Sequence, residues 1–136
     1  MISRRKTREL LMQLLYQMTL LGDYTEEAKT RFLTDYAEEH PDEEPDHTYF
    51  DKTFSLVMEH LSDIDEAITG ASDNWKLSRI SKVDLSILRM ALGEILFSPD
   101  IPEGVSVNEA VELAKKYGSD NSPKFINGLL GKVLRN

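Results

Sequence analysis

Apolar residues recur at helical spacing along almost the whole chain, and residues 83–97 (VDLSILRMALGEILF) carry them nearly all the way round. At about 100° per residue, Ile87, Leu88, Ala91, Leu92, Ile95 and Leu96 cover most of a helix's circumference, leaving a narrow polar strip of Ser86, Arg89 and Gly93. A helix of that kind is stable in water only when others cover it. The pattern therefore predicts a central element with the rest of the chain packed around it. Ser81, three residues before Asp84, supplies a capping start, and Pro99 closes the far end.

The remaining segments supply one-sided helices to do the covering. Over residues 3–21, Leu10, Leu11, Leu14, Met18 and Leu21 form one stripe with Leu15 at its edge, and Gly22 ends it. Thr25 caps a weaker helix over 26–39 whose inward residues are Ala28, Phe32 and Tyr36. EEHPDEEPD (38–46), with two prolines and six acids, reads as a solvated acidic loop; it lacks the glycine turn of a calcium loop. Phe50, Phe54, Val57, Leu61, Ile64 and Ile68 follow one another at steps of 4, 3, 4, 3 and 4, which predicts one long helix over 47–69 stopped by Gly70. Residues 74–81 form a short helix or turn presenting Trp75, Leu77 and Ile80 to the core, Trp75 as a packing anchor rather than a ligand platform.

After a proline-punctuated loop (97–105), Ser106-Val107-Asn108-Glu109 reads as a capping box. It opens a helix with Val107, Ala110, Val111, Ala114 and Tyr117 inward and Gly118 at its end. Ser122 caps the last helix and Pro123 takes its first position; Phe125, Ile126, Leu129, Leu130 and Val133 form its stripe, and Gly128 and Gly131 on a neighbouring face permit close backbone approach. No segment shows the strict alternation of a strand. The fold class is all-α, about seven helices in a single domain of 136 residues, enough to bury roughly two-thirds of the unfolded surface.

Composition narrows the function classes. The absence of cysteine excludes disulfides and thiolate metal sites and fits a reducing compartment, by default the cytoplasm. His40, His47 and His60 share no metal-ligand spacing and read as surface residues. There is no Gly-rich phosphate loop, nucleophile elbow or His-Glu-x-x-His, and the carboxylates crowd into one acidic region rather than standing isolated inside apolar stripes. A binding module without cofactor or metal is expected, not an enzyme. The basic N-terminus followed by LLMQLLYQMTLL superficially resembles a signal sequence, but Glu9, Gln13 and Gln17 interrupt the run and no small-residue cleavage site follows. Mature protein is expected from the start, with no membrane span.

The net charge of −8 is unevenly placed: +3 over residues 1–22, −12 over 23–70 and +1 over 71–136. Whole-chain charge opposes nonspecific polyanion binding, while the polarity leaves room for a local basic site. Two helix starts offer one. Arg4, Arg8, Met12 and Tyr16 form an i, i+4 row with Arg5 alongside, and Lys6 points elsewhere. Three guanidinium groups and a tyrosine in that arrangement suit a phosphate backbone and a stacked base. Their charge also opposes the helix macrodipole, at a cost of about 0.3–1 kcal/mol that a ligand phosphate would relieve. Far along the chain, Phe125 lies at the border of its stripe beside Lys124 and Lys132, where a base can stack next to an anion site. Each feature has an ordinary alternative: a solvated basic face for the arginines, a plug at the core edge for Phe125. The RNA reading expects the two helix starts to be neighbours on one side of the folded chain.

Three stretches together resemble a known family: RRKTRELLMQLLYQM (4–18), WKLSRISKVDLSILRMALGEIL (75–96) and VSVNEAVELAKKYGSDNSPKFINGLLGKV (105–133). With Asn108-Glu109-Ala110, Lys124-Phe125 and Asn127-Gly128 in that order, the chain resembles the NusB family of transcription antitermination factors throughout, apart from the acidic segment 23–48. The resemblance implies two small helical bundles packed together, roughly residues 1–70 and 71–136. It also implies a heterodimer with the ribosomal small-subunit protein NusE that binds the boxA element of nascent ribosomal RNA, within an antitermination complex on RNA polymerase. Carried over by position, Arg4, Arg5, Arg8, Tyr16, Lys124, Phe125 and Asn127 are the implied RNA contacts, with Lys6 and Thr7 interrupting a denser arginine run. Two alternatives stand beside it. One is an acidic protein-binding adaptor without RNA contact; the other is the module found at the N-terminus of an rRNA cytosine methyltransferase, which would need a catalytic domain beyond residue 136.

Overall fold

The computed structural model describes residues 1–73 and 76–135, so the expectation for Trp75 lies outside the described residues. Among the described residues seven α-helices follow in order: α1 (Arg4–Leu21), α2 (Glu26–Glu39), α3 (His47–Glu59), α4 (Leu61–Ala71), α5 (Lys82–Phe97), α6 (Glu103–Tyr117) and α7 (Ser122–Arg135), with a 3-10 turn at Leu77–Arg79 before α5. No strand occurs among the described residues, and no helix there is long and apolar enough to cross a membrane.

α5 is the centre. Ser81 accepts a hydrogen bond from the backbone N–H of Asp84, and every residue from Asp84 to Glu94 is buried. It packs against α1, α3, α4, α6 and α7, and the apolar residues around it form one continuous core. The expected polar strip is not open to water. Ser86 is fully buried, Arg89 forms an ion pair with Asp65 of α4 at 2.9 Å, and Gly93 is where α3 presses closest. A Cβ on Gly93 would stand 2.7 Å from Cγ2 of Val57.

α1 begins where Ser3 accepts from the N–H of Lys6, and ends at Gly22 in the left-handed region (φ 66°), a conformation glycine adopts without steric cost. α2 buries no residue completely; its inward residues Ala28, Phe32 and Tyr36 pack half-buried against the core. The loop after it is less free than its composition suggests. The N–H of Ile2 donates to the carbonyl of Glu44 at 2.7 Å, and the N–H of Asp46 donates to Thr7 Oγ1 at 3.0 Å, tying the loop to the start of α1.

Several boundaries differ from the sequence pattern for physical reasons. The expected helix over 47–69 is two helices, broken at His60 (φ −113°, ψ 22°) and running past Gly70 to Ala71. His60 is not a free surface residue either, because its ring stacks on Phe97 with centroids 3.7 Å apart. α6 starts a turn before the expected capping box, so Ser106 sits buried inside the helix, not at its cap. The hydroxyl of Ser122 likewise accepts from the N–H of Ser119. At Gly118 a side chain would collide with Ser122, so this glycine permits the tight α6–α7 turn. Gly128, in contrast, faces open space and lets no neighbour approach.

Candidate nucleic-acid interface

The first two turns of α1 sort their cations by depth. Arg4 and Arg5 are exposed, at 51% and 66% of their side-chain surface. Arg4 lies 3.8 Å from a carboxylate oxygen of Asp46, and its guanidinium stands 5.2 Å from the ring centre of Tyr49. Arg5 donates through Nε to both carboxylate oxygens of Glu109 at 3.2 and 3.1 Å, and this hydrogen bonding raises its pKa.

Arg8 departs from expectation: it is 3% exposed, so it is not an open guanidinium on a phosphate-binding row. It donates to Glu94 of α5 through two nitrogens at 2.9 and 3.0 Å and to Glu109 at 3.4 Å. Tyr49 also donates to Glu94, as does Ser106 at 2.8 Å. Burial alone would lower the pKa of Arg8, but hydrogen bonds and charge from Glu94 outweigh it, and the guanidinium stays protonated. Burial, with the charge of Glu94, pushes the Tyr49 hydroxyl well above its usual value. The row is covered where Glu94 of α5 and Glu109 of α6 meet Arg8. Starting outside at Arg4, it passes under the surface at Arg8 and Met12 and re-emerges half-buried at Tyr16. The signal that could have revealed this was Glu94, a carboxylate inside the most apolar segment. At 1% exposure it contradicts the expectation that no acid stands isolated in an apolar stripe, and a buried acid requires a partner.

Side chains from the first half of α1 are joined to α6 in matching order, from Arg5 and Glu109 to Gln13 and Tyr117. Beyond Arg5 and Glu109, Glu9 accepts from Lys116 at 2.7 Å and from the Tyr117 hydroxyl, which in turn accepts from Gln13 at 3.1 Å. Burial would raise the pKa of Glu9, yet the hydrogen bonds from Lys116 and Tyr117 hold it below the usual value. Arg5, Glu9, Glu109, Glu112, Lys115 and Lys116 line a cleft of about 340 Å³ between the two helices.

The second candidate set sits elsewhere. Lys124 and Asn127 are exposed and Phe125 half-buried on α7; Lys124 and Phe125, with Lys132 and Arg135, line a cleft of about 560 Å³ against the end of α4. The two clefts share no residue, and Tyr16 lines neither. The two helix starts thus line two separate clefts, and α6, joined to α1 by these side-chain pairs, packs on α7 and turns into it at Gly118.

Residues 5–135 match the family model described as the NusB family. The chain belongs to that family. Among NusB relatives, the transcription antitermination protein NusB of Clostridium botulinum is 44% identical, covering 98% of this chain and all of its own. That of Geobacter sulfurreducens is 46% identical over 96% of this chain and 93% of its own. Two solved NusB structures are similar throughout. T. maritima NusB superposes with a TM-score of 0.82 at 35% identity, over 99% of this chain and 92% of its own. A complex of antitermination factors NusB and NusE with dsRNA gives 0.82 at 26% identity, over 97% of this chain and 96% of the other.

Proposed function

We propose that this NusB-family protein is a cytoplasmic transcription antitermination factor that binds boxA RNA together with the NusE ribosomal protein and acts by binding rather than catalysis. The observation that carries the reading is exposed Arg5 on one cleft, with exposed Arg4 beside it at the helix start, together with exposed Lys124 and half-buried Phe125 on another. That arrangement suits backbone grip at one point and base stacking at a second. Asn127, exposed one turn from Lys124, supplies a donor and an acceptor for a base edge. Arg8 serves the same surface indirectly, by holding Glu109 and with it Arg5. A net charge of −8 weakens RNA binding by the chain alone, and a basic ribosomal protein would offset it.

The test is titration of boxA RNA into the protein with and without its NusE partner. Phe125→Ala is expected to weaken RNA binding by about 1–3 kcal/mol, the range for loss of one base-aromatic stack, while leaving partner binding intact. RNA affinity unchanged in that variant, with partner binding lost, would favour an adaptor that touches only protein.

A further inference from the structure

Beyond Lys124 and its neighbours in the proposed site, α7 has a wider feature: residues 122–135 contain three cations and no acid, in a chain of net charge −8. At helical spacing Lys124, Gly128, Lys132 and Arg135 fall on one outward stripe, opposite the buried Ile126, Leu129 and Leu130. Unlike Arg4, Arg5 and Arg8, each held by a carboxylate of its own chain, Lys124 and Arg135 form no ion pair among the described residues, and Lys132 meets only Asp73 at 3.3 Å. The two glycines shape the stripe. Gly128 leaves bare backbone between Lys124 and Lys132, with nothing within 4 Å of where a side chain would stand. At Gly131 the space is taken by Arg135, whose guanidinium folds back to 3.2 Å from that point.

We infer that this stripe is a second RNA-backbone site, continuing from Phe125 along α7 to Arg135. From residue 124 to 135 the helix rises roughly 16 Å, enough for a track of successive phosphates, not a single anion. Lysines and an arginine with no acid between them suit phosphate oxygens, and a helix face lowered by glycine lets a sugar-phosphate chain lie close to it. An acidic polypeptide is the other class that such cations accept. Continuity with Lys124 and Phe125 favours RNA, so the inference rests on the function proposed above. The ligand is single-stranded RNA flanking the segment that stacks on Phe125, read by charge and not by sequence.

The experiment measures the salt dependence of binding for two RNAs, the minimal boxA element and the same element extended at both ends by single-stranded uridines. It uses the full chain with NusE. Extension should steepen the slope of log affinity against log salt for the unaltered protein. The double variant Lys132→Ala, Arg135→Ala should abolish that gain, so that the slope on the extended RNA falls by about 1.4 relative to that on the minimal element, near 0.7 for each phosphate no longer neutralised. Lys132→Arg should restore half or more of the difference. A double variant indistinguishable from the unaltered protein on the extended RNA overturns the inference while leaving the proposed function standing. Loss of NusE binding with RNA binding intact overturns it in favour of a protein contact. Failure of the unaltered pair to bind either RNA overturns both readings.

Discussion

Glu94 stands 1% exposed among the apolar residues of α5 and accepts hydrogen bonds from Arg8, Tyr49 and Ser106, spreading its charge over donors from α1, α3 and α6. Removing one partner from such a pair leaves the other buried and uncompensated. Arg8→Ala is therefore expected to cost about 3–5 kcal/mol of folding stability, read from urea denaturation, with any RNA defect following from the lost fold. The sequence made Arg8 look like Arg4 and Arg5. All three are arginines at one helix start, and nothing in the local pattern ranks them by depth until Glu94 is seen to need a cation. Glu9 carries a second prediction. Its carboxyl titrates below its unfolded value of about 4.3, so its contribution to stability is present above that pH and is lost as pH falls through the lower folded value. The stability difference between the unaltered protein and Glu9→Gln should then be steady near neutrality and shrink below about pH 4, measured by thermal unfolding across that range.

At the scale of elements, one-sided apolar stripes gave α1, α2 and α7, and the run apolar nearly all round gave α5, almost to the residue, because burial follows directly from the spacing. The break between α3 and α4 was hidden for the same reason: Val57, Leu61 and Ile64 keep helical spacing straight through His60, whose stacking on Phe97 is a contact between residues far apart in the chain. The start of α6 was misplaced since Ser106 and Glu109 match a cap locally but are used as inward donor and acceptor toward Glu94, Arg5 and Arg8. Gly93 was legible only as part of a polar strip, whereas its role is close packing. Gly93→Ala drives a methyl group into Val57, so α3 must move off α5, at an expected cost of about 1–3 kcal/mol in chemical denaturation. Combining it with Val57→Ala should recover less than the whole loss, because the smaller residue leaves its own cavity.

At the scale of the whole molecule, acid and base are segregated, with net −12 over residues 23–70 and the exposed cations of the proposed RNA surface on α1 and α7. The identities of those surface residues were readable from residue type and family resemblance. Their arrangement was not, because which clefts they line depends on the side-chain pairs that join α6 to α1 and on the turn of α6 into α7. Two separate points of grip on one RNA imply independent energies. The decisive measurement is a double-mutant cycle of Arg5→Ala and Phe125→Ala on boxA RNA affinity in the presence of NusE. Each substitution is expected to weaken binding, and the two effects are expected to add within about 0.5 kcal/mol, as for sites that share no partners. Silence of both substitutions would contradict the RNA surface, and strong coupling between them would contradict its division into two clefts.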